Sequence, residues 1–143
     1  MKHLLLLALC ALTMTACADE KQVITFASLS TEAQTLMTQY INPDEVLLVT
    51  QEHQGRWAEY EVKMTDQSEW EFNAEGALEK VEIRTGIPKT LLPSAIVTYV
   101  HATFPQALII EYSIDHRDEE VKLNNGIELT FDHQGKLLKT EID

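Results

Sequence analysis

Cysteine is nearly missing from this 143-residue chain: Cys10 and Cys17 are the only two, and both lie in its first 17 residues. The rest of the sequence has no thiol, which excludes disulfides, cysteine-ligated zinc and a cysteine nucleophile there. Cations are also scarce, with 11 Lys+Arg against 23 Asp+Glu and a formal charge of −12. So few scattered bases cannot supply the positive footprint that phosphate backbones require, so no nucleic acid is expected as partner. Long apolar runs are absent too, because the stretch from Leu4 to Leu12 spans 9 residues, well short of the roughly 20 needed to cross a bilayer.

That short run has a different meaning. One lysine, the Leu-rich segment and small residues up to Cys17 fit a signal peptide over 1–16. Met14-Thr15-Ala16-Cys17 resembles the lipobox of bacterial lipoproteins, in which Cys17 is lipidated, while Ala16-Cys17-Ala18 also fits an A-x-A cleavage site that would release a soluble chain. Both readings make the protein exported, either to the periplasm or outer membrane as a lipoprotein, or secreted, and the only membrane attachment expected is a lipid at Cys17. Hydrophobic residues make up 45% of the chain, enough to bury a core and offset the ordering entropy of a folded domain.

The chain repeats itself. Residues 61–83 align without a gap on 120–142, 59 positions later, with 10 identities in 23 positions. The identical residues of the first copy are Glu61, Val62, Lys63, Glu69, Phe72, Gly76, Leu78, Lys80, Glu82 and Ile83. Upstream, Leu92, Ile96, Tyr99 and Val100 recur at helical spacing before Pro105, as Ala33, Leu36, Met37 and Tyr40 do before Pro43. The period then changes to two: Tyr60, Val62 and Met64 alternate with Glu59, Glu61 and Lys63, and Val121 and Leu123 alternate with Glu120 and Lys122. Asn124-Asn125-Gly126 and the segments ending in Gly76 and Gly135 mark tight turns. The expected fold is α+β: two tandem helix-then-four-strand repeats, with an antiparallel sheet backed by helices. Its divisions would be a linker over 17–27, repeat one over 28–86 and repeat two over 87–143.

Leu92-Pro93-x-x-Ile96-x-x-Tyr99-Val100-x-x-x-Phe104-Pro105, followed by Glu120-Val121-x-Leu123-x-x-Gly126-x-Glu128-Leu129-x-Phe131-Asp132-x-x-Gly135, resembles the PepSY-like, beta-lactamase-inhibitor-like family of exported bacterial proteins. The first copy carries the pattern with losses, Ser30, Ile41-Asn42 and Gln67 replacing Pro, Phe and Gly. The resemblance implies a layout similar to beta-lactamase inhibitory protein. It also implies binding or inhibition of a periplasmic or extracellular protein such as a peptidase.

The polar strand positions form the candidate binding face. In the first copy these are Glu61, Lys63, Glu69, Glu71, Lys80 and Glu82, joined by Trp57, which shares their parity. Residues 19–88 hold 5 bases and 14 acids, so this copy's face is the one expected to meet a basic exported partner. No catalytic set is expected, since serines 28, 30, 68, 94 and 113 lie in no nucleophile elbow and no phosphate loop or H-E-x-x-H appears. The acidic turn Asp115-His116-Arg117-Asp118-Glu119-Glu120 lacks calcium-loop spacing, so neither metal nor cofactor is expected. A small-ligand or metal-binding sensor of the cell envelope is the alternative reading of these acids.

Overall fold

The computed structural model describes residues 21–54 and 57–142. Its strands are β1 (Lys21–Ile24), β2 (Val46–Gln54), β3 (Trp57–Met64), β4 (Glu69–Phe72), β5 (Leu78–Glu82), β6 (Ile109–Ile114), β7 (Glu119–Leu123), β8 (Ile127–Phe131) and β9 (Leu137–Ile142). They form one antiparallel sheet in sequence order from β1 to β9. Two short helices, α1 (Thr31–Met37) and α2 (Ser94–Thr103), precede β2 and β6. None of the described helices is long and apolar enough to cross a membrane.

This architecture corrects the expected α+β layout of two tandem helix-then-four-strand repeats. The described residues are mainly a single nine-stranded sheet, with helices of only 7 and 10 residues. Two pairings account for the difference. β5 bonds directly to β6 through Lys80↔Ser113, Val81↔Tyr112 and Glu82↔Glu111, so the ladder runs unbroken from one copy into the next. Residues 21–24, expected in a linker, add a ninth strand on β2 through Lys21↔Glu52 to Ile24↔Val49.

One face of the sheet holds the core. Val62, Trp70, Phe72, Val81, Val121, Leu123, Leu129 and Phe131 are fully buried, with Met37 and Ile96 from the helices in the same cluster. Ala33 and Met37 of α1, and Ile96 and Val100 of α2, are buried and spaced four apart so that each pair falls on one helix face, and Leu29 and Leu92 just before the helices are buried with them. Ser30 caps α1 by accepting a hydrogen bond from the Ala33 amide at 3.2 Å, while Pro93 starts α2 without a side-chain cap.

The turns after β4 and β8 are built alike. Asn73 Oδ1 accepts the amides of Glu75 and Ala77, and Asp132 Oδ1 accepts those of Gln134 and Lys136, at 2.9 to 3.1 Å. Each turn then passes through a glycine that rests on a helix start, Gly76 on Ser30 and Gly135 on Ala95. The core is therefore closed at the helix N-termini, and no described helix lies on the opposite sheet face.

Candidate functional site

Strand register lays the outward residues in two straight rows across the sheet. One runs Thr50, Glu61, Glu71, Lys80, Ser113, Glu120, Thr130, Lys139, each opposite the next. Its neighbour runs Lys63, Glu69, Glu82, Glu111, Lys122, Glu128, Glu141. Glu61, Lys63, Glu69, Glu71, Lys80 and Glu82 thus share one surface. Trp57 begins β3 opposite Gln54, but its side chain lies outside the described residues, as does Cys17.

Ion pairing on this surface is uneven. Glu61 accepts from Lys21 at 2.7 Å and Lys63 at 3.0 Å, and Lys63 also reaches Glu69 at 3.1 Å. Burial would raise the Glu61 carboxyl, yet those two lysine hydrogen bonds outweigh it and hold the group below the ordinary carboxylate range. Lys80 lies directly opposite Glu71 but bonds across the junction between copies, to Glu111 at 2.9 Å. Glu71 is left without an ion-pair partner among the described residues. Its carboxyl is pushed up by burial, and repulsion from Glu61, Glu59 and Glu69 adds to what Lys80 only partly offsets. In the second row Glu69, Glu82 and Glu111 stand directly opposite one another, a like-charge arrangement that destabilises a sheet.

Glu52, Glu59, Glu71 and Glu79, which have no ion pair among the described residues, border a shallow cleft of about 160 Å³ also lined by Lys21, Thr50, Tyr60 and Glu61. Glu79 arrives there through a register shift between Glu71 and Phe72, which takes it out of simple alternation. Its carboxyl is raised by burial and then by Glu59 and Glu71. Sequence reasoning missed Lys21, Glu52, Glu59 and Glu79 as site residues. The one available signal was Glu79 standing where the second copy has Leu138. Among the described residues no three His, Cys, Asp or Glu side chains group closely enough to hold a metal ion. The arrangement can attract ammonium or guanidinium groups, and it contains no nucleophile set beside a base.

A raised carboxyl binds its proton more tightly folded than unfolded, so its charge lowers stability above the folded pKa and stops doing so below the unfolded one. Glu71, Glu79 and Glu120 are all raised, burial being the first cause in each. Glu71→Gln, Glu79→Gln and Glu120→Gln are each expected to stabilise the fold by about 0.5 kcal/mol or less at pH 7. The gain should vanish near about pH 3, where the carboxylates are protonated; thermal melting at the two pH values checks both halves.

A helix-backed antiparallel sheet with a charged, uncovered face and no catalytic constellation among the described residues defines the class of protein. The chain belongs to the PepSY-like family, described as "Putative beta-lactamase-inhibitor-like, PepSY-like", which matches residues 58–139. Among solved structures it is similar to a "putative periplasmic protein from DUF2874 family" of Bacteroides vulgatus, with 30% identity, TM-score 0.82, and coverage of 87% of this chain and 98% of that one. It is also similar to a "putative calcium-regulated periplasmic protein" of Bacteroides thetaiotaomicron, with 30% identity, TM-score 0.81, and coverage of 85% and 96%. A third, a "putative periplasmic protein of unknown function" from Bacteroides vulgatus, has 25% identity, TM-score 0.80, and coverage of 85% and 99%. No curated protein matches the chain. These relatives place the chain among exported proteins.

Proposed function

We propose that the chain is a non-catalytic binding module of the cell envelope that inhibits or modulates an exported enzyme, such as a peptidase, through the outer face of its sheet. The observation that carries this reading is the uncompensated acid of the first copy: Glu52, Glu59, Glu71 and Glu79 border one cleft whose only lysine, Lys21, is already bonded to Glu61. A face that stays charged at a cost to its own stability suits a basic partner surface, because opposed potentials steer encounter and fix register. The family description, inhibitor-like, points the same way. In this reading a signal peptide over 1–16 exports the chain, and it is either anchored through a lipid on Cys17 or released.

Capture from envelope extract tests it. Wild type should retain a partner with a basic contact surface at low salt and lose most of it above about 0.3 M salt, where charges more than about 6 Å apart are screened. Glu71→Gln/Glu79→Gln should retain several-fold less at low salt, and Trp57→Ala reports whether the tryptophan contributes. Equal recovery of every partner by wild type and the double variant, at both salt concentrations, would overturn the reading. A cation-regulated sensor is the second reading, favoured by the relative described as calcium-regulated. Unchanged melting at millimolar calcium would end it, because a ligand specific to the native state must raise stability.

A further inference from the structure

The internal repeat shows what the free end of the sheet is built to accept. β5 and β9 are matching strands 59 residues apart, sharing Leu78 and Leu137, Lys80 and Lys139, Glu82 and Glu141. In the first copy the far edge of β5 is covered by an antiparallel strand, β6. At the other end of the sheet β1 is the edge strand, pairing with β2. Among the described residues β9 pairs only with β8, so its far edge is the counterpart of an edge that takes a strand within this same chain. Two large apolar side chains stand out on it, Leu138 at 54% exposure and Ile142 at 80%.

We propose that the protein self-associates through β9, two copies pairing antiparallel about a two-fold axis at Thr140 and continuing one sheet across both. Charge selects the occupant and the register. A two-fold perpendicular to the sheet keeps outward residues with outward residues, so it must pass through a residue position. Centred on Lys139 it would oppose two lysines, and centred on Glu141 two glutamates. Centred on Thr140 it sets Lys139 against the partner's Glu141 and repeats that pair by symmetry. Lys139 is already balanced by Glu141 at 2.8 Å within one strand, so this edge lacks the bare lysine that usually repels a second strand. One strand edge falls below the roughly 1,200 Å² of a standard interface, so the dimer is weak and concentration-dependent. The axis also turns the outer faces of both copies to the same side.

Sedimentation equilibrium on the intact purified protein, from about 1 to 300 µM, should show a monomer–dimer equilibrium with a dissociation constant in the micromolar range. Lys139→Glu and Glu141→Lys should each weaken it at least ~10-fold, since each sets like charges opposite. Mixing these two variants should restore association as a heterodimer, because an all-acidic strand then faces an all-basic one and both cross-strand pairs join opposite charges. Melting of each variant at low concentration confirms that it is folded. A wild type that stays monomeric, single variants that dimerise as wild type does, or a mixture that fails to associate would each overturn the proposal. The readout is mass alone, so it stands or falls separately from partner capture.

Discussion

Trp70→Ala is expected to remove about 3–5 kcal/mol of stability, a large share of the roughly 5–15 kcal/mol of an ordinary domain. Trp70 is the largest fully buried side chain, on β4 between Val62 and Val81, with its ring centroid 6.2 Å from that of Tyr40. The corresponding position of the second copy is Leu129, and the helix residue that corresponds to Ala33 is the larger Ile96, all four buried. The small helix residue goes with the large strand residue, and the large with the small, a compensation of the kind that volume-conserving cores allow. Trp70→Phe should lose less than half as much. It keeps a ring near Tyr40 and removes an indole N–H that is buried with no hydrogen-bond partner among the described residues, a deficit of about 1–3 kcal/mol. Calorimetry should show the melting temperature of the alanine variant lowered by roughly 10 °C or more. A loss below about 1 kcal/mol would mean that the tryptophan does not hold the core together.

Alternation and turn residues made much of this fold legible. Period-two patterning put Tyr60, Val62 and Met64 on one side of their strand and Val121 and Leu123 on one side of theirs; Val62, Met64, Val121 and Leu123 are buried and Tyr60 is half-buried. The joining of the copies was not legible, because the β5–β6 bonds are made by backbone groups that every residue carries. β1 escaped for a related reason: Lys21-Gln22-Val23-Ile24 is too short to show a period, and its first three residues are exposed.

The candidate site divides along the same line. Glu61, Lys63, Glu69, Glu71, Lys80 and Glu82 could be placed on one face by parity, whereas their pairing could not. Parity does not say which opposite charges within the first copy pair with one another. The structure sends Lys80 across the junction to Glu111, which leaves Glu71 uncompensated beside Glu79. Glu52, Glu59, Glu61, Glu71 and Glu79 thus line a cleft bounded by β1 and the bulge in β5, the two features that alternation could not reveal.

Gly135→Ala is expected to destabilise the protein by about 2–5 kcal/mol, combining a left-handed backbone with overpacking. Gly135 has φ +79°, and a Cβ there would fall on the Cβ of Ala95 in the first turn of α2. Gly126 separates the two causes. It has φ +85° with open space around it, so Gly126→Ala should cost only the backbone term of about 1–2 kcal/mol. Ala95→Gly alone should cost at most about 1 kcal/mol, the loss of helix propensity at an exposed position. Combined with Gly135→Ala it removes the atom in the way, so the double variant should recover about 1–2 kcal/mol relative to the sum of the singles. Denaturant unfolding of all three supplies the cycle. Strict additivity would mean that the β8–β9 turn does not bear on α2 and that the helix is positioned by the core alone. The expected coupling instead makes the turn a support for the helix, which leaves the outer sheet face free to change its charges without disturbing the fold beneath.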